Sequence, residues 1–114
     1  MPILNLITNA PGDRVRSSEI IAELSKTIAL ATKKPESYVL ISLGTDRSMS
    51  FGGTEAPCCY GELTSIGGFG GRNAEISGMV MAVIEKHIGV SSSRFYLKFT
   101  APAGNEIGWQ GATF

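Results

Sequence analysis

Very little in this chain could hold a metal or an organic cofactor. Its 114 residues include one histidine, His87, and two cysteines, Cys58 and Cys59. One histidine is too few for a His-based metal centre, and no Cys/His/carboxylate cluster has ligand spacing. The cysteines are adjacent, and a disulfide between neighbours is strained, so two reduced, packed thiols are expected. Excess charge is also missing: ten Lys and Arg balance ten Asp and Glu. No basic field is available to draw in nucleic acid or an anionic membrane. No apolar run approaches the length of a membrane span. The opening segment MPILNLITN lacks a charged leader and a small-residue cleavage site, which predicts a cytoplasmic protein that could leave the cell only by a leaderless route.

The residues present suit one globular domain over residues 1–114, with 43% hydrophobic and 18% charged residues. Ile3 to Thr8 alternates as a strand. Pro11-Gly12-Asp13 marks a turn. Ser17 or Ser18 can cap a helix, with Glu19 in its first turn. Ile20, Leu24, Ile28 and Ala31 recur at helical spacing, and Pro35 ends that helix. Tyr38 to Leu43 reads as a buried strand, and Gly44 to Pro57 as a long loop. The same order then returns. Cys58 to Ile66 reads as a strand, Gly67 to Gly71 as a loop, and Ile76 to Ile88 as a helix closed by Gly89. Phe95 to Phe99 is the last main strand. His87, near the end of the second helix, is expected at the surface, where a cation suits the helix dipole. Gly67 to Gly71 lacks the Lys-Ser/Thr of a P-loop and the spacing of a dinucleotide fingerprint.

The pattern predicts an α/β fold of two pseudo-repeated β-α-β units, roughly 1–57 and 58–114. Together they make one four-stranded mixed sheet with both helices on one face. The other face would then expose an apolar patch, which usually marks an interface. An oligomer is expected on that ground alone.

Several residues align with a known pattern. They are Pro2, Lys34-Pro35, Met49-Ser50-Phe51-Gly52-Gly53-Thr54, Ser65-Ile66-Gly67, Tyr96, Gly108-Trp109 and Thr113-Phe114. In this order and spacing, over essentially the whole chain, they resemble the macrophage migration inhibitory factor family, which includes D-dopachrome tautomerase. The resemblance implies a homotrimer whose sheets curl into a central barrel. It also implies keto–enol tautomerisation of phenylpyruvate- or dopachrome-like substrates in pockets between neighbouring subunits, with no cofactor.

Within that resemblance Pro2 is the expected catalytic residue. Removal of Met1 would turn its nitrogen from a tertiary amide into a secondary amine. Enolisation needs one base that can return the proton it takes, with a pKa near the working pH. Burial among apolar side chains and a nearby cation both disfavour the charged amine and bring its pKa toward neutrality. Lys34 matches the position of that cation and can pair with a substrate carboxylate. Ile66 matches a residue whose backbone N–H meets a substrate acid group, with Ser65 beside it. Tyr96 matches a pocket residue supplied by the adjacent subunit. Tyr38, Ile107, Trp109 and Phe114 match the apolar and aromatic rim. The expected partner is a small aromatic keto acid.

The chain departs from the family in places. Lys98 stands where the vertebrate cytokine carries Asn, adding a cation that could attract an acidic substrate or spoil the fit of the usual ones. Gly61 occupies the second cysteine position of a CxxC, so thiol–disulfide chemistry by that motif is not expected. Asp46 matches an acidic loop residue of receptor mimicry, but the PGDRVR segment is offset by one residue, and receptor binding is unsupported. The alternative to an enzyme is a cytokine-like signalling or interaction protein that keeps a residual pocket.

Overall fold

Two seven-residue strands, β1 (Pro2–Thr8) and β3 (Cys59–Ser65), form the centre of the sheet in the computed structural model, which describes residues 1–114. They run antiparallel, with Pro2 opposite Ser65 and Thr8 opposite Cys59. Both show the same alternation of buried and open positions, as expected where one face meets the core. β2 (Leu40–Gly44) lies parallel to β1, and β4 (Phe95–Thr100) parallel to β3, giving the order β2-β1-β3-β4. A parallel pair needs a crossover. Here the crossovers are two helices of 16 residues each, α1 (Ser17–Thr32) and α2 (Asn73–Ile88). The two β-α-β units expected from the sequence are present.

Both helices lie on the same face. Ile20, Leu24 and Ile28 of α1 and Ile76, Val80 and Ile84 of α2 are wholly buried in one cluster with Leu4, Leu6 and Leu63. Complete burial of side chains this size stabilises by about 1.5–3 kcal/mol each. The ends of α1 differ from expectation. Its cap position is Arg16, and no side chain caps it. Ser17 is drawn into the first turn because its N–H already donates to the Val15 carbonyl, 3.0 Å away. The helix stops at Lys33, which is left-handed at φ 56°, two residues before Pro35.

Three further expectations are corrected. β2 is shorter and less buried than YVLISL suggests: Glu36–Tyr38 forms a 3₁₀ turn, and Leu40 is 56% exposed. As an edge strand it leans Ile41 and Leu43 on the core and turns Leu40 and Ser42 away from it. His87 is mostly covered, its side chain 15% exposed, because it reaches across to Glu23 on α1. The open sheet face is not a continuous apolar patch. Ser42, Asn5, Glu62 and Lys98 face one another in register across all four strands. Apolar groups such as Ile3, Ile7 and Tyr96 flank this polar row.

The loop between β2 and β3 is irregular, as expected, and Arg94 holds it by donating to the carbonyls of Phe51, Thr54, Ala56 and Pro57. The tail folds into a hairpin of β5 (Gly108–Trp109) and β6 (Ala112–Thr113). Its two turn residues, Gln110 and Gly111, both have positive φ, the geometry of a tight type I′ turn. No helix is long and apolar enough to cross a membrane.

Candidate functional site

Pro2 begins β1 with its side chain wholly buried. The pairing with β3 sets Ser65 directly opposite, on the same core-facing side. Residues so paired have Cα atoms about 4.5–5.5 Å apart. The Ser65 hydroxyl is buried and has no hydrogen-bond partner. A buried hydroxyl in that state costs free energy, and this one sits beside the start of the chain.

The end of α1 brings a cation to the same place. The amino group of Met1 is held below its ordinary value, first by burial and then by the charge of Lys34. Two clefts adjoin it. One, of about 270 Å³, is lined by Met1 and Ile3 on one side and by Tyr38, Ile107, Trp109 and Phe114 on the other. Trp109 and Phe114 stack with centroids 5.0 Å apart, and Tyr38 meets both edge-on at 5.4 and 6.0 Å. This packing gives the cleft an aromatic wall with few rotamers to freeze. The other cleft, of about 320 Å³, lies between Lys33-Lys34 and the loop from Ile66 to Gly70. The Ile66 amide follows Ser65 at the end of β3, across the ladder from Met1.

One chain thus groups Tyr38, Ile107, Trp109 and Phe114 around one cleft and Lys34 with Ile66 around the other, the two sharing no lining residue, while Pro2 and Ser65, paired at the end of β1 and β3, line neither. It does not bring Tyr96 or Lys98 to them. Tyr96 pairs with Tyr60 and Lys98 with Glu62, five and three residues along β3 from Ser65. At about 3.3 Å per residue, Tyr96 is some 17 Å along the sheet from Pro2. Tyr96 is 67% exposed and rests on Phe51, with ring centroids 4.8 Å apart. These two rings border a third cleft, of about 290 Å³, with Met49 and Cys58.

Some residues here escaped the sequence reading. Ile3 lines the aromatic cleft, and its place opposite the tail hairpin has no local signature. Lys33 and Arg72 border the second cleft. Lys33 was next to a residue already singled out, but its left-handed backbone is invisible in sequence. The two thiols do fit their expected role. Both are free and buried, and burial, with Cys58 adjacent, pushes the Cys59 thiol up to about 12. The thiolate is the reactive form of cysteine, so this thiol is inert. No group of His, Cys, Asp and Glu side chains is arranged to hold a metal ion.

The family model described as macrophage migration inhibitory factor matches residues 1–114. A macrophage migration inhibitory factor homolog of Trichuris trichiura is 36% identical over 115 aligned residues, covering 100% of both chains. The solved macrophage migration inhibitory factor of Trichinella spiralis superposes with a TM-score of 0.93 at 33% identity, over 98% of this chain and 99% of that one. A macrophage migration inhibitory factor homologue from Prochlorococcus marinus superposes at 0.90 with 34% identity, over 98% of each chain. By sequence over its full length and by the arrangement of its sheet and helices, this chain belongs to the macrophage migration inhibitory factor family.

Proposed function

We propose that the protein is a cofactor-independent keto–enol tautomerase in which Pro2, freed by loss of Met1, is the acid–base catalyst. The observation that carries this reading is the setting of the amino terminus. Burial and Lys34 both lower the basicity of the Met1 amine, one residue from Pro2, and the same surroundings would favour a neutral Pro2 base near neutral pH. The Pro2 nitrogen takes a proton from the carbon beside the substrate carbonyl. The C–H electron pair becomes the new C=C bond, and the carbonyl π pair moves to oxygen. The oxygen then receives the proton, and the amine is neutral again. Lys34 and the Ile66 amide face the substrate acid group, and the Tyr38–Trp109–Phe114 wall takes its aromatic ring. Phenylpyruvate- and dopachrome-like compounds have both features. Tyr96 of a neighbouring copy, in a homotrimer, completes the pocket, with Lys98 beside it.

The test is turnover of phenylpyruvate by protein whose intact mass shows Met1 removed. Pro2→Gly keeps an amine but loses the proline ring, and kcat/KM is expected to fall at least about 100-fold, the usual scale of a lost acid–base group. Undiminished turnover in a folded Pro2→Gly protein would sink the proposal. A processed wild-type protein that turns over no keto acid would favour an interaction protein with a residual pocket.

A further inference from the structure

The cleft between the end of α1 and the β3–α2 loop carries more positive charge than a single carboxylate needs. Lys33, Lys34 and Arg72 all line it. Arg72 is paired with Glu75 at 2.9 Å and also donates to the Ala31 carbonyl. Lys33 and Lys34 form no ion pair with any carboxylate of the chain. Glu75 feels Lys33 as well as Arg72, and Lys34 lines the same cleft, so three cations face one carboxylate. Two positive charges are left without a partner.

The backbone supplies donors to match. Gly67 and Gly68 are consecutive left-handed residues at φ 85° and 80°, and Gly70 and Gly71 repeat this at 63° and 74°. The amides of Gly67 and Gly70, which line the cleft, donate to no group of the chain, nor does that of neighbouring Gly71. Clustered free amides in such turns form concavities that suit oxyanions. Lys33 adds a separate observation. It occupies the left-handed residue after a helix, a place that favours glycine. A lysine there gives up backbone comfort and sets a second ammonium beside Lys34.

We propose that this cleft is the acid-binding end of the Pro2 pocket and is built for a dianionic group, a phosphate or a paired carboxylate, rather than a monocarboxylate. The inference rests on the tautomerase reading for its place beside Pro2, but binding tests it separately. The probes are inorganic phosphate and acetate, titrated by NMR at about pH 8, where phosphate is mainly a dianion. Phosphate is expected to bind about tenfold more tightly than acetate, given its doubled charge. The shifts should centre on Lys33, Gly67, Gly70 and Gly71. Lys33→Gly restores the favoured cap residue, so the variant should melt no lower than wild type, yet lose about fivefold in phosphate affinity and much less in acetate affinity. Equal affinities in wild type, shifts mapping elsewhere, or an unchanged phosphate preference in Lys33→Gly would each overturn the proposal. Phosphate preference without keto-acid turnover would leave the subsite standing and remove the Pro2 reading. Turnover without phosphate preference would do the reverse.

Discussion

At Gly61 an added Cβ would come within 2.5 Å of Leu6 Cδ2 and 3.1 Å of Leu97 Cδ1. Leu6 is wholly buried, so it has little room to yield. The strand normally gains from replacing glycine, but here crowding decides the sign. Gly61→Ala is expected to destabilise by about 1–3 kcal/mol, read as a lower urea midpoint with an unchanged slope. An equal or higher midpoint would mean that the core around Leu6 repacks freely. The sequence showed that Gly61 interrupts a CxxC, but not that a side chain there has no space. That fact comes from Leu6 and Leu97, far away along the chain. Pro2 is similar. Its position was legible, but its burial and its orphaned neighbour Ser65 depend on how β1 meets β3.

The helices were the most legible elements, because the buried Ile20, Leu24 and Ile28 of α1 and Ile76, Val80 and Ile84 of α2 repeat at helical spacing. β2 was less so, since an apolar run does not say whether its strand lies at an edge. Contacts between elements were not legible at all. Glu23 of α1 accepts from both His87 and Lys86 of α2, the latter at 3.2 Å. These partners hold the Glu23 carboxyl below its ordinary value of 4.5, the His87 hydrogen bond being the largest cause. Arg72 does the same for Glu75. For a lowered carboxyl, the unfolded chain takes up its proton first as pH falls. The stability from each pair is therefore complete above about pH 4.5 and is lost as pH drops through the lowered folded value. Melting temperature should fall through that acid window. Glu23→Gln should flatten the decline, leaving the smaller slope due to Glu75. An identical acid slope in the variant would show that the α1–α2 pair contributes nothing to it.

At the scale of the whole molecule the proposed site is divided. Pro2 and Lys34 stand at one end of the β1–β3 pair, while Tyr96 stands about 17 Å away near the other. No rotamer of Tyr96 closes that gap. The polar row Ser42–Asn5–Glu62–Lys98 crosses the open face between the two ends, and facing copies would have to enclose it. The alternation of β1 was readable as one buried face, but the mixed character of the other depends on register, which no single strand reveals. The proposed cyclic trimer would resolve the division, because a head-to-tail interface can set one chain's Tyr96 end against the next chain's Pro2 end. That arrangement predicts complementation. Suppose Pro2→Gly and Tyr96→Ala homotrimers are each nearly inactive. Unfolding them together and refolding at equal amounts gives mixed trimers. A working site then needs Pro2 from a Tyr96→Ala chain and Tyr96 from its Pro2→Gly neighbour, so about a quarter of wild-type activity should return. Simply mixing the folded proteins without exchange should return none. If refolded mixtures stay as inactive as their parents, the pocket is not shared between subunits, and Tyr96 belongs instead to the Phe51 cleft of its own chain.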